Sequence, residues 1–277
     1  MRTYATHCNV YANVNKIVFF KFNQNRELAE PYRGDWNDEE RMLRDGHSYH
    51  AQSSPSDPEY IRQLRVGYYG AITHMDHQIG RLLSALVEQK LMDNTVILFV
   101  SDHGEMLGDH LLFQKAKPYQ GSVQVPLFLS GPERYVGTHR RICGDLVELR
   151  DVMPTLLELA GAPIPETVDG KSLLHPVDRE YIHGEHSLGM DSMHYVVTKT
   201  DKYIWYSQTG QELYFDLVKD PHESCNAIEN SEYSARIASL RQYLIAELAG
   251  REEGYSDGAR LIVGRTPRTV LQRTLSD

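Results

Sequence analysis

Cysteine is scarce: Cys8, Cys143 and Cys225 stand far apart along 277 residues. Isolated thiols at such spacing build neither a disulfide framework nor a zinc knuckle. Long apolar runs are also missing. The run from Val96 to Val100 falls far short of the roughly 20 residues a membrane helix needs, and the first residues lack the apolar segment of a secretory signal. These absences predict no membrane segment and a cytoplasmic location. Basic charge is not in excess either, with 29 Lys and Arg against 38 Asp and Glu and a net charge of −9. The cations are scattered rather than gathered into a stripe, so no nucleic-acid partner is expected. With 41% hydrophobic and 24% charged residues, the chain can bury a sizeable core. A protein acting on small molecules or glycans suits this balance.

Residues 1–57 are polar and weakly patterned, with only Lys16 to Phe22 reading as a strand. Asp57 can then cap a helix, and Pro58 suits its first turn, where the missing amide proton costs nothing. Ile61, Leu64, Tyr68, Ile72, Met75, Ile79, Leu82 and Leu86 follow at helical spacing, which predicts a long amphipathic helix to about Lys90. Thr95 to Val100 and Val125 to Leu129 are apolar on both faces, as parallel strands covered by helices would be. A further helix is expected between Asp145 and Leu159, with Pro154 bending it or lying near its first turn. Helix, buried strand, loop, buried strand and helix together predict an α/β sheet. Beyond about Met190, Tyr195 to Thr198, Lys202 to Tyr206 and Gln211 to Phe215 read as an antiparallel meander, followed by a helix over Tyr233 to Leu248. The organisation expected is therefore an N-terminal segment 1–57, an α/β core 58–190, and a small antiparallel β plus helix subdomain 191–277.

The first strand ends in Ser101-Asp102-His103-Gly104-Glu105. Ligands of open α/β sheets gather at carboxyl ends of strands. Neighbouring strand residues point to opposite faces, so Asp102 and His103 reach one ion only where the backbone leaves the sheet, which Gly104 permits. A hard oxygen beside an imidazole nitrogen suits Ca²⁺ or Mg²⁺ only when further carboxylates complete the shell. On the tetrapeptide alone, a helix cap beside a hydrogen-bonded histidine explains the pattern better than a metal site does.

The wider context favours a site. The succession S-D-H-G-E, L-G-D-H, F-Q-K and P-Y-Q-G-S-V-Q-V-P-L resembles the sulfatase family of the alkaline-phosphatase-like superfamily. So do Tyr69 to Asp76, Asp151 to Leu157, Leu213 to Leu217 and Asp220 to Glu223, which extends the likeness over about residues 58–228. The resemblance implies a partial α/β/α sandwich, a divalent metal such as Ca²⁺ or Mg²⁺ held by Asp102 and His103, and Lys115 on a sulfate oxygen. It implies a small-molecule or glycan sulfate ester as substrate. Asp109 and His110 repeat the pair and would stand behind the ligands or shape the loop, and Glu105 reads as a loop carboxylate. His74 and His77 share a helix face, and His183-Gly184-Glu185-His186 holds ligand residue types without a recognised spacing; both groups are expected to be structural.

Members of that family carry Cys- or Ser-x-Pro-Ser-Arg, oxidised to formylglycine, as the nucleophile. The nearest match here, Ser53-Ser54-Pro55-Ser56-Asp57, puts an acid where the arginine belongs. The paired aspartates of a first strand are missing too. The expectation is a C-terminal portion of a sulfuric ester hydrolase, with an unpaired sheet edge that favours self-association. Phosphonate or phosphate ester chemistry of the same superfamily, and a non-catalytic binding remnant, are the alternatives.

Overall fold

The computed structural model describes residues 58–137, 142–186 and 189–266. The expected strand at Lys16 to Phe22, the Asp57 cap and the Ser53 to Asp57 segment lie outside the described residues. The chain forms two compact units, one holding 58–100 and 126–137, the other 101–125 with 142–186 and 189–266.

In the first unit, helix α1 spans Pro58–Glu88, close to the span that the apolar spacing predicts. The described residues cover little of its predicted apolar face: Ile61 is buried, whereas Leu64, Tyr68, Met75 and Leu82 are exposed. Strands β1 (Ile97–Val100) and β2 (Leu127–Ser130) follow. They pair antiparallel, which corrects the parallel arrangement expected from their apolar composition. Parallel neighbours need a crossover, usually helical, and the segment between these strands contains only the single helical turns Asp109–Leu111 and Gln120–Val123. Phe99 sits opposite Phe128, and their rings stack with centroids 4.8 Å apart. Every residue of both strands is half-buried, so neither strand is sealed on two faces.

The second unit is built on an antiparallel sheet of order β3-β4-β5-β6, with β3 at Ile182–His186, β4 at Met193–Val197, β5 at Asp201–Tyr206 and β6 at Glu212–Asp216. The last three match the expected meander. The edge strand β3 is not apparent in the sequence, because His-Gly-Glu-His offers little strand propensity. Before the sheet, α2 covers Val152–Leu159, shorter than the helix expected from Asp145. Pro154 lies in its first turn, where no intrahelical donor is required.

All six residues of β5 are buried, and strand alternation divides them between two cores. Tyr203 and Trp205 join Val196 and Tyr214 against Leu240, Leu244 and Leu248 of α3, which spans Ser234–Leu248. Ile204 and Tyr206 join Leu213 and Phe215 against Met106, Leu112 and Tyr119 of the segment that follows β1. Each fully buried large side chain contributes about 1.5–3 kcal/mol, so the sheet is a firm platform for that segment. Residues 252–266 are also built in, with Tyr255 in the α3 core. No helix among the described residues is long and apolar enough to cross a membrane.

Candidate functional site

Residues 101–125 form an irregular strap seated on the β5–β6 face. Leu107, His110, Leu111, Gln114 and Ala116 all adopt positive φ, a conformation unfavourable for side chains with a Cβ. A succession of such residues persists only where surrounding contacts impose it, and functional loops are where it is usually found. Those contacts are identifiable. Glu105 Oε1 accepts hydrogen bonds from the amides of Leu107 and Gln114, so this carboxylate is a loop staple, as expected. Gly104 N donates to Ser122 O at 2.7 Å, and a Cβ on Gly104 would lie 2.1 Å from Gly121 O. Glycine is needed here for close backbone approach rather than for the turn envisaged from sequence. The contact joins D-H-G directly to Y-Q-G-S.

The strap is also anchored from beneath. Lys202 on β5 donates to Pro118 O at 2.6 Å and to Gln120 Oε1 at 3.2 Å. Its ammonium lies 2.5 Å from Glu223 Oε1, while Glu223 Oε2 accepts from Gln120 N at 2.6 Å. Burial pushes the Lys202 ammonium below its ordinary pKa, and Glu223 opposes that shift. Lys117 is committed too, in a buried pair with Asp191 at 2.9 Å.

Within this frame Asp102 and His103 are both exposed. His103 N donates to Asp102 Oδ1 at 3.0 Å, which fixes the carboxylate. His103 Nδ1 lies 2.8 Å from Gly104 O. A carbonyl only accepts, so Nδ1 carries a proton, and in the neutral ring Nε2 is the nitrogen with the lone pair. That Nε2 stands 3.7 Å from Asp102 Oδ2, the separation of two atoms able to share one cation. The residue pair fits a divalent metal as part of a larger ligand set. Lys115 is half-buried on the same strap and makes no hydrogen bond or ion pair to other described residues, as an anion-binding lysine requires.

Asp109 and His110 have a different setting. Asp109 belongs to the bend, where its amide donates to Met106 O and its carbonyl accepts from Leu112 N. His110 is buried, with its ring stacked on Tyr119 at 4.5 Å. His74 and His77 are exposed on α1.

Another resemblance segment, Asp151 to Leu157, is an anchoring hub. Asp151 is fully buried and accepts from both arms of Arg179, at 2.9 and 3.0 Å, and from the amides of Lys171 and Glu148. Burial alone would raise its pKa, but the Arg179 hydrogen bonds and the two amides outweigh it, leaving the carboxyl below its ordinary value.

The family model described as Sulfatase matches residues 3–162, and that for N-sulphoglucosamine sulphohydrolase, C-terminal, matches residues 108–249. An arylsulfatase of Clostridium perfringens is 47% identical over 259 residues, covering 91% of this chain and 54% of the relative. A choline-sulfatase of Rhizobium meliloti is 34% identical over 67% of this chain and 37% of the relative. The phosphonate monoester hydrolase of Silicibacter pomeroyi matches in structure with a TM-score of 0.67 at 26% identity, over 80% of this chain and 50% of that one. A protein solved with its substrate D-glucosamine-2-N,6-O-disulfate matches with a TM-score of 0.54 at 26% identity, over 62% and 38% of the two chains. The chain spans about half or less of the length of these relatives.

Proposed function

The chain belongs to the sulfatase family, and from that premise we propose that it supplies the metal- and anion-binding share of a site that hydrolyses sulfate esters. The observation that carries this reading is the convergence of Asp102 Oδ2 and His103 Nε2 at 3.7 Å, with the imidazole tautomer set by Gly104 O. Asp102 and His103 would hold Ca²⁺ or Mg²⁺ together with carboxylates from elsewhere. When bound, the cation would supply positive charge beside the oxygens of the ester.

This chain's own contribution is orientation and charge. The Gly104–Gly121 approach and the Lys202–Glu223 pair hold the strap in one conformation, so Lys115 presents its ammonium without first breaking an interaction with any other described residue. A compact point charge of this type binds a sulfate oxygen and stabilises negative charge that grows as the ester S–O bond breaks. Water completes the exchange, giving inorganic sulfate and the free alcohol. The sequence contains no Cys- or Ser-x-Pro-Ser-Arg, so no nucleophile is assigned to these residues. Substrates of the class are small-molecule or glycan sulfate esters, consistent with the disulfated glucosamine bound by one structural relative.

Calorimetric titration with Ca²⁺ tests the site: binding should weaken by about tenfold or more in Asp102→Ala, and unchanged binding would remove Asp102 from the ligand set. A longer form that includes Cys- or Ser-x-Pro-Ser-Arg, assayed on an aryl sulfate, an aryl phosphate and a phosphonate monoester, should prefer the sulfate. Preference for a phosphorus ester would overturn the assignment.

A further inference from the structure

The edge of the antiparallel sheet holds a second set of metal-ligand side chains. His183 and Glu185 are alternate residues of β3 and share a face. His194 of β4 lies directly opposite Glu185 in the register, so it projects from the same side. His183 Nε2 and His194 Nδ1 are 3.3 Å apart, His194 Nδ1 and Glu185 Oε2 are 3.4 Å apart, and His183 Nε2 and Glu185 Oε2 are 3.8 Å apart. Three atoms on a tetrahedron with arms of about 2.0–2.1 Å are separated by about 3.3 Å. We propose that His183, Glu185 and His194 form a binding site for Zn²⁺ or a similar borderline transition metal, which pins the edge strand β3 to β4.

The surroundings support this assignment. The two imidazoles are almost wholly enclosed, with side-chain exposures of 7% and 3%, while Glu185 at 37% opens the rim. Burial, followed by the neighbouring His194, pushes His183 down to about 4, so the ring is neutral at ordinary pH, as a metal ligand must be. Glu247 Oε1 faces His183 Nδ1 at 3.7 Å, and Tyr181 OH donates to Glu247 Oε2 at 3.3 Å. At that separation the Glu247 carboxylate makes no hydrogen bond to the ring but adds negative charge beside the ligand set. Trp205 and Tyr255 wall the far side of His194. A Cβ on Gly184 would meet the Tyr195 ring at 2.0 Å, so the residue between the two β3 ligands is fixed by packing on the opposite face.

Arg251 and, more weakly, Arg150 oppose cation binding. Arg251 Nη1 lies 2.5 Å from Glu185 Oε2 and must share or surrender that oxygen when a metal arrives. Two imidazoles and one carboxylate favour Zn²⁺, Co²⁺ or Ni²⁺ over the hard cations Ca²⁺ and Mg²⁺. This chemistry and these ligands differ from those of Asp102 and His103, so the two sites stand or fall separately.

Titration of the full chain with Co²⁺, followed by visible absorption, tests the proposal. One equivalent should give the ligand-field bands of a four-coordinate ion, and Zn²⁺ should abolish them, whereas Ca²⁺ should not. Glu185→Gln keeps the side chain's size and should weaken Zn²⁺ binding by about tenfold or more. Arg251→Gln removes the competing charge and should tighten it, a gain that a purely structural role for these residues does not produce. The absence of Co²⁺ bands in the native chain would overturn the proposal. So would equal Zn²⁺ affinity in the native chain and a folded Glu185→Gln variant, or Zn²⁺ binding that depends on Asp102 and His103 instead.

Discussion

Lys202 Nζ lies 2.5 Å from Glu223 Oε1 with both side chains sealed from solvent, at 0% and 1% exposure. Because both also hydrogen-bond to the segment at Pro118 and Gln120, the pair joins the sheet to the strap that carries Lys115. Removing one partner strands a buried charge, which costs about 3–5 kcal/mol. Lys202→Met and Glu223→Gln should therefore each destabilise the chain by roughly that amount in urea denaturation. The double variant should lose less than the sum of the two. A full additive loss would show that the two groups act independently.

Gly104 offers a test of the strap that removes no ligand. An added Cβ would meet the Gly121 carbonyl at 2.1 Å, and such overpacking costs about 1–3 kcal/mol. Gly104→Ala should reduce Ca²⁺ affinity in calorimetry by displacing Asp102 and His103, although both remain. Gly67 is the control, being inside α1 with nothing within 4 Å of the place a Cβ would occupy. Gly67→Ala should stabilise the helix by about 0.5–1 kcal/mol and leave Ca²⁺ binding unchanged.

The Asp151 hub predicts acid sensitivity. The folded pKa lies below the ordinary value, so the unfolded chain binds a proton that the folded chain refuses. The associated stability is complete above about pH 4, the ordinary range of an aspartate, and is lost as pH falls through that range towards the folded value. Denaturation midpoints should fall more steeply below about pH 4 in the native chain than in Asp151→Asn. Parallel pH profiles would assign the acid sensitivity to other carboxylates.

Much of this organisation is legible from local pattern. The spacing of Ile61 to Leu86 identifies α1, and the alternating aromatic residues of β4, β5 and β6 identify the meander, because both signals are properties of a single segment. The D-H pair and Lys115 are singled out together only by the ordered motifs around them. The antiparallel β1–β2 pairing is not legible: Val96 to Val100 is apolar in either orientation, and direction depends on how the chain returns after residue 101. The cluster on β3 and β4 is hidden for a related reason. His183 and Glu185 are two residues apart, whereas His194 is brought alongside by strand register, which spacing alone does not reveal. Asp109 and His110 repeat the D-H pair in sequence, and the stacking of His110 on Tyr119 is not visible in that repeat.

The face of α1 that the described residues leave exposed leads to a prediction about association. Met75 and Leu82 are 59% and 62% exposed and lie seven residues apart, two turns along one stripe, with Tyr68 another seven residues earlier. A continuous apolar stripe in water favours contact with another apolar surface, and β1 and β2 add the edges of a two-stranded sheet. Sedimentation velocity should show concentration-dependent association of the native chain. Met75→Glu combined with Leu82→Glu should suppress it, because glutamate retains good helix propensity while placing charge in the stripe. Association that survives this double change would transfer the contact from the helix to the strand edges, since α1 itself would remain folded by circular dichroism.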